Sequence, residues 1–198
     1  MDTLEPSLDI EWLGDSLDVV RGFGRAIRRA IGGELRLLQC GERPLHARPM
    51  RTIGAGVWEL KIRESGGHSR RRLGRRRGAI SRSLGHGSRK SDMAHITRGN
   101  VFEDLGFSPE ESVELALKVD LASNVRQFME RQGMTQLQAA RFFDVPRPKI
   151  SHIQSNKLDG ISIEYLVRML VRTGGKLSYR FHQPSKKVAD ARVRARAA

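Results

Sequence analysis

The apolar residues of this chain repeat with two different periods, and the change of period divides it. From residue 108 to residue 175 the period is helical. Ser108-Pro109-Glu110-Glu111 places an N-cap serine, a proline at the first helical position and a glutamate at the third, a capping-box start. Leu117, Leu121, Val125, Phe128 and Met129 then keep the spacing of a stripe facing a core, until Gly133 stops the helix. Thr135 caps a second helix with Leu137, Ala140 and Phe143 spaced along its inward side, the small Ala140 lying where a neighbouring helix approaches. Asp144 and Val145 turn the chain. Pro146, Arg147 and Pro148 open a third helix, at the one place where prolines cost no intrahelical hydrogen bond. This helix buries Ile150 and Ile153. Ser162 caps a fourth, with Ile163, Leu166, Val167 and Leu170 inward; Gly174-Gly175 end it, and Lys176 to Phe181 alternates as a strand.

The N-terminal third mixes the two periods. Leu8 to Gly14 alternates as a strand, and Ser16 to Phe23 and Ala26 to Leu38 read as helices. Met50 to Ile53 and Val57 to Arg63 read as two strands around Gly54-Ala55-Gly56. Alternation in the last of these puts Val57, Glu59, Lys61 and Arg63 on one face and Trp58, Leu60 and Ile62 on the other.

Met134 to Lys157 is therefore two short amphipathic helices across a tight turn, with Arg147, Lys149, Ser151 and His152 pointing outward from the second. That is the pattern of a helix-turn-helix, whose second helix reads the major groove. Arginine and lysine donate to guanine O6 and N7, and serine and histidine serve less specific contacts. Arg147 and Lys149 are the first candidates. The plainer alternatives are two amphipathic helices of some other all-α domain, and outward residues that are ordinary solvated charges.

With those residues in view, a resemblance can be stated. Residues 99–181, and especially Gly99 to Phe107, Thr135-Gln136, Pro148-Lys149-Ile150-Ser151 and Lys157, resemble the HigA-type antitoxins of the XRE helix-turn-helix family, lambda-repressor-like in fold. The resemblance covers about two fifths of the chain. It implies a homodimer that binds the operator of a toxin–antitoxin operon on double-stranded DNA, represses it, and sequesters a HigB-like toxin. Carried over by position, Gln136 contacts a phosphate, Arg147, Lys149, Ser151 and His152 face base edges, and Ser155 and Lys157 complete the DNA-binding set. Three positions depart from the family pattern: Asp144 and Asn156 stand where glycine is usual, and Pro146 where serine or threonine caps the helix. Asn and Asp tolerate left-handed backbone better than most residues, so the first two are workable substitutes.

Charge adds a second layer. The net charge of +14 is uneven: residues 68–90 hold eight Arg and one Lys with no acid, and residues 176–198 hold seven basic residues against Asp190. Those segments carry +15 between them, which leaves the remainder close to neutral. Basic blocks of this kind read as a linker and a disordered tail that bind nucleic acid through counterion release. Hydrophobic residues, at 38%, are few for one compact core of 198 residues. The single cysteine, Cys40, excludes an internal disulfide, and the six histidines lack metal-ligand spacing, so neither a metal nor a cofactor is expected. The acidic start MDTLEPSLD lacks a signal-peptide layout and no apolar run reaches the roughly 18 residues of a span. A cytoplasmic protein with no membrane partner is expected, nucleoid-associated when bound to DNA.

The N-terminal order of elements, with Gly41-Glu42-Arg43-Pro44 and Gly54-Ala55-Gly56-Val57-Trp58-Glu59-Leu60, resembles HigB-type toxins of the RelE-like superfamily, related to phage Gp49-like proteins. Those are ribosome-dependent mRNA endonucleases. Where that family continues with apolar strands, this chain has Ser69-Arg70-Arg71-Arg72-Leu73-Gly74-Arg75-Arg76-Arg77-Gly78, which cannot form a buried strand. Met93 then reads as the former start of a separate antitoxin, as if a frameshift had fused the two. Glu59, Lys61 and Arg63 are the only acid–base cluster, and a run of arginines supplies charge without fixed geometry. No catalytic residue is assigned and loss of RNase activity is expected.

The sequence thus predicts an α+β chain in four parts. Residues 1–67 form a truncated RelE-like α/β segment with two helices and about three strands, its sheet edge left for another segment to cover. Residues 68–107 form a basic flexible linker, 108–182 an all-α helix-turn-helix domain with a C-terminal strand, and 183–198 a basic tail. The expected function is sequence-specific transcriptional repression. Two alternatives stand beside it: a fusion that retains a silenced mRNA endonuclease, and an interaction protein that neutralises a toxin made elsewhere.

Overall fold

The computed structural model describes residues 8–50, 52, 58–62, 80–82 and 95–178. Their order is β1 (Ile10–Trp12), α1 (Ser16–Arg21), α2 (Arg25–Gln39), β2 (Ala47–Pro49), β3 (Trp58–Leu60), β4 (Ile80–Arg82), β5 (His95–Thr97), α3 (Val101–Asp104), α4 (Pro109–Arg131), α5 (Gln136–Phe143), α6 (Arg147–Gln154) and α7 (Ile163–Arg172). The two helices expected in residues 8–62 are present, as are the first and last of the three expected strands. The strands, however, belong to two sheets: β2 pairs only with β3, while β1 lies between β4 and β5, antiparallel to both. The expected strand over Met50 to Ile53 is displaced to Ala47–Pro49, and the Gly54-Ala55-Gly56 turn and Arg63 lie outside the described residues.

Residues 95–107 are folded, which corrects their assignment to a flexible linker. Thr97 is buried against β1, where the Trp12 indole donates to the Thr97 hydroxyl at 2.8 Å. Asp104 accepts from the same hydroxyl and from His95 Nε2, at 2.9 Å for the imidazole. Asn100 caps α3 by accepting from the Phe102 amide, and Val101, Phe102 and Leu105 are buried. Later strands flank β1 on both sides, whereas β2 and β3 pair only with each other among the described residues. The Arg-rich stretches on either side of β4, and residues 183–198, lie outside the described residues.

Two cores follow, and α4 belongs to both. The first joins Ile10, Trp12, Leu17, Val20, Ile31, Leu35 and Leu37 to Val101, Phe102, Leu105 and Phe107 and to Leu115, Ala116 and Val119 of α4. The second joins Leu121, Ala122, Val125 and Met129 of α4 to Ala139, Phe143, Ile150, Ile153, Leu166 and Met169. The stripe expected on α4 is the second of these faces, with Leu117 and Phe128 only half-buried at its margin. The capping box at its start is half-made: the Ser108 hydroxyl accepts from the Glu111 amide, but the Glu111 carboxylate turns to Arg25 and Arg29. The Arg25 hydrogen bond holds that carboxyl below the usual carboxylate range.

The C-terminal half of α2 is enclosed on every side, residues 31–37 being buried without exception. Gly32 and Gly33 make this possible. A Cβ on Gly32 would collide with the Phe102 ring, and one on Gly33 would stand 2.8 Å from Asn156 Nδ2. Glycine mid-helix costs roughly 0.5–1 kcal/mol relative to alanine, a cost offset here by the close approach it allows. Several of the polar groups that this packing buries are paired. Arg36 makes a bidentate bond to Asp120 at the midpoint of α4, 2.9 Å from Nε and 2.7 Å from Nη2. Glu34 accepts from the His46 amide at 3.1 Å and lies 2.9 Å from its Nδ1. Glu42 bonds Ser123 and, at 3.1 Å, Gln127. Arg21 and Arg28 cap the end of α3 by donating to the carbonyls of Asp104 and Leu105, at 2.6 and 2.8 Å. Burial, then Asp120, pushes the Cys40 thiol up to about 12.

Two outcomes follow. Asp120→Ala strips the buried guanidinium of its bidentate partner, so urea unfolding should show a loss of roughly 3–5 kcal/mol, the usual result of breaking a buried ion pair from one side. Cys40 should resist iodoacetamide at pH 8 in the folded chain and react promptly in denaturant, since only thiolate is nucleophilic.

Candidate nucleic-acid interface

The second core exists to hold two short helices at a fixed angle. Thr135 starts α5 with both halves of a capping box: its hydroxyl accepts from the Gln138 amide at 3.3 Å, and its own amide donates to Gln138 Oε1 at 2.8 Å. Asp144 ends the helix in the left-handed region, φ 51°. Arg172 of α7 secures that turn, donating to the Phe143 carbonyl and lying 3.5 Å from the Asp144 carboxylate. The inward face of α5 is Ala139 and Phe143, both fully buried, while Leu137 is 52% exposed and Ala140 half-buried. Steps of three residues drift by about 60° each around a helix of 3.6 residues per turn, so Leu137 and Phe143 cannot share one face. Ala139, four residues before Phe143, is the small residue at the crossing.

Helix α6 begins at Arg147 after Pro146, with no side-chain cap, and Ile150 and Ile153 anchor it at 0% exposure. Its C-terminal turn is held from α4: the buried Arg126 donates to the Ile153 carbonyl at 3.0 Å, and burial draws its pKa down from the ordinary arginine value. Sequence periodicity passed over Arg126, although a charge inside the apolar stripe of α4 is a signal of its own. Asn156 then takes the left-handed backbone expected of it, φ 51°.

The sequence-derived candidates divide into two groups. Gln136, Arg147, Pro148, Ser151 and His152 line one open depression of about 350 Å³. Within it a relay fixes Arg147: the Gln136 amide donates to Gln154 Oε1 at 2.7 Å, and Arg147 Nε lies 3.4 Å from Gln136 Oε1. Lys149, Ser155 and Lys157 are not part of this surface. Lys149 precedes the buried Ile153 by one turn, so its chain leans toward the body of the domain, its ammonium 2.9 Å from the Gly160 carbonyl and over the Tyr165 ring at 5.9 Å. The Ser155 hydroxyl bonds back to the Ser151 carbonyl at 2.8 Å. Lys157 is exposed and borders a larger cavity on the opposite side. The expected strand over 176–181 is absent from residues 176–178, and its remainder lies outside the described residues.

Helix α7 completes the support, its Ser162 hydroxyl accepting from the Tyr165 amide at 3.1 Å and Leu166 and Met169 entering the core. Of the helical face expected for it, Leu166 is fully buried, whereas Ile163, Val167 and Leu170 flank it half-buried. Among the described residues no group of His, Cys, Asp and Glu could hold a metal ion, and no helix is long and apolar enough to cross a membrane.

Residues 101–181 match the family model described as a helix-turn-helix domain. A solved structure described as an "XRE Family Transcriptional Regulator" is similar at 24% identity over 38% of this chain and 85% of that one, with a TM-score of 0.36. No curated protein matches the chain. Residues 101–181 therefore carry a helix-turn-helix domain, with α5 and α6 as its two helices.

Substitution can decide which residue of α5 fills the crossing. Ala139→Leu should lower the thermal midpoint by the equivalent of about 1–3 kcal/mol through overpacking. Leu137→Ala should stay within about 0.5 kcal/mol, as surface changes do.

Proposed function

We propose that this protein is a sequence-specific transcriptional regulator that binds its operator through α6 and represses its own operon, as an antitoxin of the HigA type does. One observation carries the reading. The outward residues of α6 converge with Gln136 on one open face, and the Gln136 relay holds Arg147 there while two isoleucines fix the helix beneath. An arginine restrained in this way reaches guanine O6 and N7 with less rotamer freedom to lose. Gln136 at the start of α5 suits a phosphate, which sets register without reading sequence. The Arg-rich segments at 68–90 and 176–198 add charge for nonspecific attraction. A homodimer on an inverted repeat with half-sites one helical turn apart is the arrangement that two such faces fit.

In this reading the N-terminal segment serves as a structural half of the regulator and not as a nuclease. Glu59 on β3 and Lys61 just after it pair with each other at 3.4 Å and are both substantially exposed, which leaves them in ordinary solvated geometry. The packing of α2 against α3 and α4 supports the same view, since the segment draws much of its core from beyond residue 95.

The full-length chain, and not a fragment that would expose the first core, is the right material for a DNA titration at about 150 mM salt, where exposed charges are screened beyond roughly 8 Å. Wild type should prefer DNA from upstream of its own gene over scrambled DNA by ~10³-fold or more. Arg147→Ala should lose about 1–3 kcal/mol of that preference, the worth of one bidentate base contact. Lys149→Ala should cost well under half as much, because its ammonium is engaged at Gly160. Equal, weak binding to both DNAs by wild type would overturn the regulator reading and leave only the basic segments at work. Growth arrest on expressing the chain would revive the nuclease.

A further inference from the structure

A cavity of about 660 Å³ lies between α2, α4, the β2–β3 pair and the 155–160 loop that follows α6. That volume is within the range of small-molecule sites. Its apolar wall includes Ile27, Leu45, Leu115, Val119 and Leu158. Four carboxylates line it against five Lys and Arg side chains: Glu111 pairs with Arg25 and Arg29, Glu114 with Lys118 and Asp159 with Arg29, while Glu34 is hydrogen-bonded by His46. Two lining cations, Arg48 and Lys157, have no side-chain partner among the described residues. The charge left over in the cavity is thus positive. Two further polar atoms of lining residues, Arg29 Nε and Asn156 Oδ1, are buried without a hydrogen-bond partner.

We propose that this cavity binds an amphipathic organic anion, with its apolar body against Ile27 and Leu158 and its anionic head at Arg48 and Lys157. Occupancy shifts the 155–160 loop. That loop continues directly from α6, with Asn156 one residue beyond the Ser155 C-cap, and it is tied to α2 through Arg29 and Asp159. A ligand that moves Asn156 therefore moves the end of the recognition helix. The coupling to DNA rests on the regulator reading above; the binding site does not.

8-Anilinonaphthalene-1-sulfonate, an aromatic sulfonate that fluoresces on leaving water, is a suitable probe for the full-length chain. Wild type should bind it saturably at one site. Ala30→Trp, which fills the cavity from α2, should weaken binding by about 10-fold or more, close to 1.4 kcal/mol. The double charge reversal Arg48→Glu/Lys157→Glu, at positions that leave both cores untouched, should weaken it about 5-fold or more, and keeps the site testable if the tryptophan prevents folding. No saturable binding, or an affinity within about twofold of wild type in the charge-reversed chain, overturns the site. With wild-type protein, saturating probe should change affinity for its own upstream DNA by about 5-fold or more. Unchanged DNA affinity overturns the coupling alone, whereas a probe-free chain that shows no DNA preference overturns the regulator reading and leaves the cavity standing.

Discussion

Helix α4 has to satisfy two cores at once, and the rest of the chain is arranged around that constraint. Its N-terminal half faces Leu35, Phe102 and Leu105, and its C-terminal half faces Phe143, Ile150 and Ile153. Between the two, the helix turns polar groups inward, and the N-terminal segment answers each of them: Arg36 for Asp120, Glu42 for Ser123 and Gln127. Buried ion pairs contribute little net stability because desolvation nearly cancels their attraction. Their value here is in register. A bidentate guanidinium–carboxylate pair has one good geometry, so Arg36 and Asp120 fix how far α2 slides along α4.

That register reaches the recognition helix. Gly33 brings the backbone of α2 against Asn156, and Arg29 bonds Asp159 in the same loop. From the other side, Arg126 holds the last turn of α6 by a carbonyl and Arg172 holds the end of α5 in the same manner. Each of these arginines satisfies a carbonyl at a helix end, which a backbone on its own leaves without a partner. The orientation of the outward face at Arg147 is therefore set by residues from three other helices as well as by the two isoleucines beneath it.

What the sequence made legible, and what it concealed, follows from the range of the interactions involved. The caps at Ser108, Thr135 and Ser162, and the left-handed Asp144 and Asn156, are decided within a few residues. The helix-turn-helix was readable from them. The face of α4 turned to the first core was not, because Asp120 and Ser123 look like solvent-facing residues until Arg36 and Glu42 are in place. Strands β4 and β5 were hidden for a related reason: three-residue strands carry too little alternation to stand out, and β4 sits among arginines and glycines. Lys149 shows the limit at the site itself. Outward position on a helical wheel says nothing about a flexible side chain that finds a carbonyl on a neighbouring loop.

The sheet built on β1 also sets a timetable. Trp12 and Thr97 are bonded across 85 residues of sequence, and Arg36 and Asp120 across 84. During synthesis, α1 and α2 leave the ribosome long before either partner exists, so their apolar faces must wait until α3 and α4 follow. Contacts of such long sequence separation are slow to form, because the intervening loop must close before they are rewarded. The helices of the second core all lie within residues 109–172, so their contacts close shorter loops. The last part of the chain to be made is thus equipped to fold early and to act as the template on which the first part finally settles.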